Sequence, residues 1–296
     1  MKDLIMAISY GYTYSQLGVF IRSLARTSFR GDLVLFVGET DRASMRLLRK
    51  DGIWLIPFWY PYRRCHKLRT PFHRLWPLVR PLLSQLDSVG TIQQIAAPFL
   101  NLSILRFAFY RNFLLRHGGG YKRIFLTDLR DVCFQSDPFL RADDGGLRVF
   151  LEEPGHTLGG CPNNSRWLME LYGPDVLGDL AANPIICSGT ILGDRERLVA
   201  YLNAFLFSLP RARSVMRMGM DQGIHNYLVY RGLVGPVVFC QNRESEVLTM
   251  GLMNPADLPQ RSGNGLFVDV NGDPYPVLHQ FDRHEGIRRE ILSAYN

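Results

Sequence analysis

The stretch Arg123-Ile124-Phe125-Leu126-Thr127-Asp128-Leu129-Arg130-Asp131 decides how this chain is read. Its first half is short and very apolar, which describes a strand buried on both faces. Before it, residues 100–116 carry a helical pattern that ends in Gly118-Gly119-Gly120. After it come two acids. In open α/β sheets ligands collect at the carboxyl ends of the strands. Carboxylates placed there can hold a hard cation that in turn holds phosphates. The plainer alternative is a pair of solvated acids with Arg130 as their ion-pair partner.

Working outward, the N-terminal side has the same alternation. Residues 3–9 read as a buried strand, 14–27 as a helix, 33–37 as a second strand, 40–51 as a helix and 53–58 as a third strand. This β-α-β-α-β opening predicts an α/β fold with a mostly parallel sheet flanked by helices. Five prolines from Pro57 to Pro81 argue against long regular structure in that segment. On the C-terminal side, residues 147–153, 184–193 and 276–281 read as strands. Residues 165–172, 195–208 and 221–231 read as helices, and 234–240 as extended. No repeat or low-complexity linker interrupts the chain, so 1–296 is expected to be a single domain with loop insertions.

Three further segments could carry chemistry. Ser188-Gly189-Thr190 sets a glycine between hydroxyls, where backbone can approach a ligand closely, or where a strand simply bulges. Asp221-Gln222-Gly223-Ile224-His225-Asn226 is dense in polar groups for a helix start, although Asp221 could be a plain N-cap and His225 a hydrogen-bonded structural residue. His279 ends an apolar strand and could ligate a metal together with Asp131.

Composition removes other classes. The 296 residues are 47% hydrophobic and 21% charged, as in an ordinary globular protein. Cys65, Cys133, Cys161, Cys187 and Cys240 are scattered without a CxxC, which disfavours a thiolate zinc site and is more typical of reduced, cytoplasmic thiols. No segment reaches the ~20 apolar residues of a membrane span, and Leu4–Ala7 is too short for a signal sequence, so a soluble protein is expected. The net charge is +7, and most of the excess lies between Asp51 and Asp87. That stretch holds Arg63, Arg64, Lys67, Arg69, Arg74 and Arg80, no acid, and seven aromatics. A chain-wide nucleic-acid footprint is absent. Residues 54–83 read either as a peripheral surface for a membrane or anionic acceptor, or as a solvated insertion whose aromatics pack inward. There is no GxSxG, HExxH, Walker loop or GxGxxG after the first strand, which disfavours serine hydrolases, P-loop kinases and nicotinamide dehydrogenases.

Taken in order, these segments resemble nucleotide-sugar glycosyltransferases of the GT-A fold. The similarity is to the retaining, glycogenin-like and lipopolysaccharide galactosyltransferase-like group, and it covers most of residues 3–284. The stretch Asp128–Phe139 is also similar to a DxRDVxFQxDPF pattern of other transferases assigned to that superfamily. The resemblance implies a metal-dependent transfer of a sugar from a nucleotide-diphosphate sugar, with UDP as carrier, to a glycan, lipid or small-molecule acceptor. It implies that Ile8, Ser9 and Tyr10 bind the nucleotide and that Arg106 lies near the donor. Ser188, Gly189 and Thr190 would form the small-residue turn. Asp221 would hold the donor sugar, Gln222 would sit beside its anomeric carbon, and Asn226 completes that helix motif. Asp131, His279 and Asp128 would hold Mn²⁺ or Mg²⁺. Arg283 or His284 would replace the family's late phosphate contact.

The family motif is DxD, whereas here the acids are three apart. Residues i and i+3 do not share a face of a strand. Both reach one ion only if the chain turns after Thr127; otherwise Asp131 is the ligand and Asp128 contacts the ribose. A catalytically inactive nucleotide-sugar or glycan-binding relative and a nucleotidyltransferase are the alternatives.

Overall fold

The computed structural model describes residues 1–60, 66–142 and 145–295, with the backbone alone over 66–73. The chain runs β1 (Lys2–Tyr10), α1 (Gly18–Ala25), β2 (Asp32–Gly38), α2 (Arg42–Lys50), β3 (Trp54–Pro57), α3 (His66–Leu83), α4 (Val89–Ala96) and α5 (Leu102–His117). It continues through β4 (Tyr121–Thr127), β5 (Val132–Phe134), β6 (Leu147–Leu151), α6 (Pro162–Tyr172), α7 (Pro174–Leu180), β7 (Ile186–Gly193) and α8 (Arg195–Ser208). It ends with α9 (Met220–Tyr230), β8 (Val237–Cys240), β9 (Val247–Thr249), β10 (Val277–His279) and α10 (Glu285–Tyr295).

Seven strands form the central sheet in the order β3-β2-β1-β4-β7-β6-β8. The half from β3 to β4 is parallel, as the alternating opening predicts. Alternate residues of β1 feed opposite cores: Leu4 and Met6 face α5 and α8, while Ile5 and Ala7 face α1 and β5. α5 is apolar nearly all round because it lies between the sheet and α8, where Phe107 stacks on Phe205 at 4.1 Å. Burying each such ring contributes roughly 1.5–3 kcal/mol. Asn101 starts α5 by accepting the Ser103 amide, and Asp194 starts α8 through the Arg197 amide.

The sheet is mostly parallel, as expected: β7 runs antiparallel to β4 and β6, and β8 is again parallel to β6. Two expectations need correction. The last strand does not join this sheet: β10 lies in a second sheet of order β5-β10-β9, antiparallel to β5. Second, 66–83 is a helix despite Pro71, Pro77 and Pro81. Trp76 anchors it, buried, with Nε1 donating to the Ala212 carbonyl at 2.9 Å, and Leu83 is buried beside it. Packing of that face outweighs the poor helix propensity of proline.

The basic-aromatic segment is correspondingly split. Trp54–Pro57 pairs with β2 at the sheet edge, and Tyr60 and Trp76 are core residues. The Arg63, Arg64, Lys67 and Arg69 side chains lie outside the described residues. Among the described residues, no helix is long and apolar enough to cross a membrane.

Candidate active site

β4 ends at Thr127 and the chain turns through 128–131 before β5 starts. That turn answers the spacing problem, because it brings both acids of Asp128-Leu129-Arg130-Asp131 to one side. The Asp128 amide donates to the Gly189 carbonyl at 2.7 Å, which fastens the turn to β7. On the other side, β5 pairs antiparallel with β10 in a register that sets Val132 opposite His279. Asp131 immediately precedes β5, so the small sheet carries it to His279. The Gln280 amide donates to the Asp131 carbonyl at 2.8 Å, with Gln280 itself left-handed at φ 56°. Asp131 and His279 therefore meet through an antiparallel pair in the second sheet, not along one edge of a parallel sheet.

Ligand atoms of Asp128, Asp131 and His279 lie within 4.8 Å of one another. His279 is fully buried, and its Nε2 is 3.5 Å from Asp128 Oδ2 without an aligned hydrogen bond. A buried, unsatisfied imidazole nitrogen between two carboxylates is a donor set that fits a divalent cation. Gly189 makes the room: a Cβ there would lie 2.5 Å from Asp128 Oδ2 and 2.8 Å from His279 Cε1.

Behind this trio sits Arg106, on α5 and almost fully buried. Its Nη1 pairs with Asp128 Oδ1, and its Nη2 reaches Asp221 Oδ2 at 2.9 Å and the Ser188 carbonyl at 3.1 Å. Ser188 Oγ also donates to Asp221 Oδ2, at 3.1 Å. Burial disfavours the Arg106 charge, but Asp128 and Asp221 more than offset it and raise its pKa. Burial alone would raise the Asp128 carboxyl; Arg106 overcomes this and holds it well below the usual carboxylate range. Among the described residues Asp131 has no such ion-pair partner, and burial raises its pKa. Burial also works against a charged His279, yet Cys187, the Asp128 contact and the Asp131 charge together raise its pKa. The Cys187 thiol, itself pushed up by burial, is 3.6 Å from His279 Nδ1.

Asp221 is not a helix cap: Gly219, left-handed at φ 87°, precedes α9, and Asp221 lies inside the first turn facing Arg106. Next to it, Gln222 Nε2 donates to Glu152 Oε1 and to Asn164 Oδ1, each at 3.0 Å. Asn226 is structural, exchanging hydrogen bonds with both backbone groups of Ile186. So is His225, neutral with its pKa pushed down to about 3 by burial and its Nδ1 2.7 Å from Tyr201 Oη.

Ile8, Ser9 and Tyr10 occupy the carboxyl end of β1, opposite Phe36, Val37 and Gly38 of β2. Tyr10 stacks on Phe58 at 5.9 Å and donates to the Tyr60 carbonyl at 3.2 Å. Ser9 and Thr190 are buried, and neither side-chain oxygen has a hydrogen-bond partner among the described residues. Arg130 pairs with Asp282 at 2.8 Å rather than with the acids beside it. Arg283 does not join the cluster; it is half exposed, 3.8 Å from Asp282. His284 is held by the Met250 carbonyl at 2.9 Å. Sequence reading missed Glu152, Asn164 and Cys187. Glu152 carried a usable signal, because it is an acid at the end of an apolar strand, as Asp128 is.

No family model and no curated protein matches this chain. Solved structures do. The galactosyltransferase LgtC, crystallised with donor and acceptor sugar analogues, aligns over 99% of this chain and 96% of its own, at 16% identity and a TM-score of 0.52. An active-site mutant of LgtC aligns over 99% and 95%, at 14% identity and 0.50. The chain therefore has the GT-A fold.

The trio predicts its own pH dependence. The His279 pKa is raised, so a cation must displace its proton to bind there. Mn²⁺ affinity should rise over the pH range above the ordinary imidazole value of about 6.5, with a proton released on binding. Calorimetry in buffers of different ionisation heat measures both. Affinity that is flat across that range would contradict the assignment of His279 as a ligand.

Proposed function

We propose that this protein is a metal-dependent glycosyltransferase that moves a sugar from a nucleotide-diphosphate sugar, a UDP-sugar foremost, with retention of configuration. One observation carries the reading. Asp128, Asp131 and His279 converge where β4 ends, against the Arg106–Asp221–Ser188 group. The donor and acceptor analogues bound to LgtC, which shares the fold, support a nucleotide-sugar donor and a glycan acceptor.

In this reading Ile8, Ser9 and Tyr10 receive the nucleoside at the end of β1. Asp128, Asp131 and His279 hold Mn²⁺ or Mg²⁺; carboxylate with imidazole suits Mn²⁺. The cation offsets the charge that gathers on the leaving diphosphate. Arg283, half exposed nearby in sequence, supplies a second positive charge to the phosphates. Ser188, Gly189 and Thr190 let the donor approach the β7 backbone. Asp221, fixed by Arg106, accepts a hydroxyl of the donor sugar. Gln222 faces the anomeric carbon and stabilises the positive charge that develops there. The acceptor oxygen bonds to that carbon on the face the phosphate leaves, and its proton passes to the departing phosphate oxygen.

A panel of nucleotide sugars with Mn²⁺, followed by assay of free nucleoside diphosphate, tests this. Slow donor hydrolysis is expected with one donor, falling at least about 100-fold in Asp131→Ala. Tight nucleotide binding with no release would point to an inactive relative. Pyrophosphate release from a nucleoside triphosphate would point to a nucleotidyltransferase. Either result would overturn the reading.

The acceptor side of the reading is a cytoplasmic protein resting on an anionic lipid surface through α3. Trp76 and Leu83 hold one face of that helix to the core. Leu75, Leu78 and Leu82 project from the other at i, i+3 and i+7, with Leu78 69% and Leu82 70% exposed. Arg74 is exposed beside them, in a stretch of sequence that holds six cations and no acid. Apolar anchors beside cations are the pattern of interfacial helices. The protein should co-sediment with vesicles containing phosphatidylglycerol but not with pure phosphatidylcholine, and the Leu78→Glu/Leu82→Glu double variant should lose binding. Unchanged sedimentation of that variant would remove α3 from the contact, and concentration-dependent dimerisation without vesicle binding would assign the leucines to a second copy of the chain.

A further inference from the structure

The amide of Gln222 is clamped. Its Nε2 carries two hydrogens, and two acceptors take them: Glu152 Oε1 and Asn164 Oδ1, each at 3.0 Å. Both acceptors are buried, with Glu152 6% and Asn164 3% exposed. Asn164 is itself oriented, because its Nδ2 is 3.3 Å from Cys161 Sγ, which leaves its carbonyl for Gln222. With Glu152 ionised, turning the Gln222 amide over would set its oxygen against two other acceptor oxygens with no hydrogen between them. In that state the network favours one orientation. In it, Oε1 accepts no hydrogen bond among the described residues and is the amide atom left for a ligand.

From this geometry we infer that Glu152 and Asn164 are positioning residues, which hold Gln222 with its carbonyl oxygen presented to the donor sugar. The inference rests on the glycosyltransferase reading for what the carbonyl faces. The clamp itself is a property of β6, α6 and α9. Glu152 follows β6, Asn164 lies in the first turn of α6, and Gln222 in the first turn of α9. A free glutamine would spend part of its time with the NH₂ group toward the anomeric carbon, where partial positive charge opposes the charge that develops as the phosphate leaves. Fixing the dipole beforehand removes that reorganisation from the reaction. It also explains two buried polar side chains that touch neither the cation trio nor Arg106.

Two measurements test the inference, one of them independent of turnover. In ¹⁵N NMR, the Gln222 side-chain amide, identified by its loss in Gln222→Glu, should exchange with water more slowly than exposed glutamine amides. Asn164→Ala should lose that protection, and Asn164→Asp, which keeps an acceptor oxygen, should retain it. In donor hydrolysis, Asn164→Ala should lower kcat about tenfold or more with the donor KM nearly unchanged, and Asn164→Asp should restore it. Glu152→Gln also keeps an acceptor and should stay within about tenfold of the parent. A rapidly exchanging amide in the parent protein overturns the clamp. Protection lost in Asn164→Ala with kcat intact overturns its positioning role. Turnover abolished in Glu152→Gln with the amide still protected would give Glu152 a direct part in bond formation instead. If the parent hydrolyses no donor at all, the glycosyltransferase reading fails, and slow amide exchange would leave the clamp standing apart from it.

Discussion

A guanidinium buried inside an α/β sheet is tolerable only where carboxylates meet it, and Arg106 meets two. Its ion pairs with Asp128 and Asp221, and its bond to the Ser188 carbonyl, join α5, the turn after β4, β7 and the start of α9 at one point. Desolvating three charges is expensive, and their mutual attraction offsets the cost only while all three stay in place. That makes the cluster a poor source of net stability and a strict source of geometry. It keeps Asp128 ionised, sets Asp221 facing the site instead of capping its helix, and leaves Asp128 Oδ2 turned toward His279.

The order of elements was legible because hydrophobic period reports which faces are covered. Leu4 to Ala7, Leu33 to Val37 and Ile124 to Thr127 are apolar without alternation, and each is a strand covered on both sides. Asp128, Asp131, His279 and Asp221 were legible because each stands where an apolar run ends or a helix begins. Strand direction was not legible. A run such as Ile186-Cys187-Ser188-Gly189-Thr190-Ile191-Leu192-Gly193 has the same pattern whether parallel or antiparallel, so the reversal of β7 and the transfer of β10 to a second sheet left no local trace. The prolines of α3 misled for a related reason: local propensity says nothing of Trp76 and the Ala212 carbonyl 136 positions away.

Partnership was the least legible layer. Arg106, 22 positions before Asp128 and 115 before Asp221, gives no sign in sequence that it touches both. Glu152 and Asn164 are ordinary polar residues until α9 brings Gln222 between them. The three-residue spacing of the acids looked like a departure from a two-ligand motif only on the assumption that the strand continues. With the chain turning after Thr127, the same spacing delivers Asp128 from the central sheet and Asp131 from the small one, and His279 arrives with the latter. The candidate cation site is a seam between two sheets.

That seam is the central claim, and electron-nuclear double resonance of Mn²⁺ bound together with UDP tests it most directly. The account predicts one Mn²⁺ showing both ³¹P coupling from the diphosphate and a ¹⁴N coupling from a single imidazole, with the nitrogen signal absent in His279→Ala and the phosphorus signal kept. Phosphorus coupling with no nitrogen coupling in the parent protein would mean that the cation rides on the nucleotide without His279, and would contradict the account.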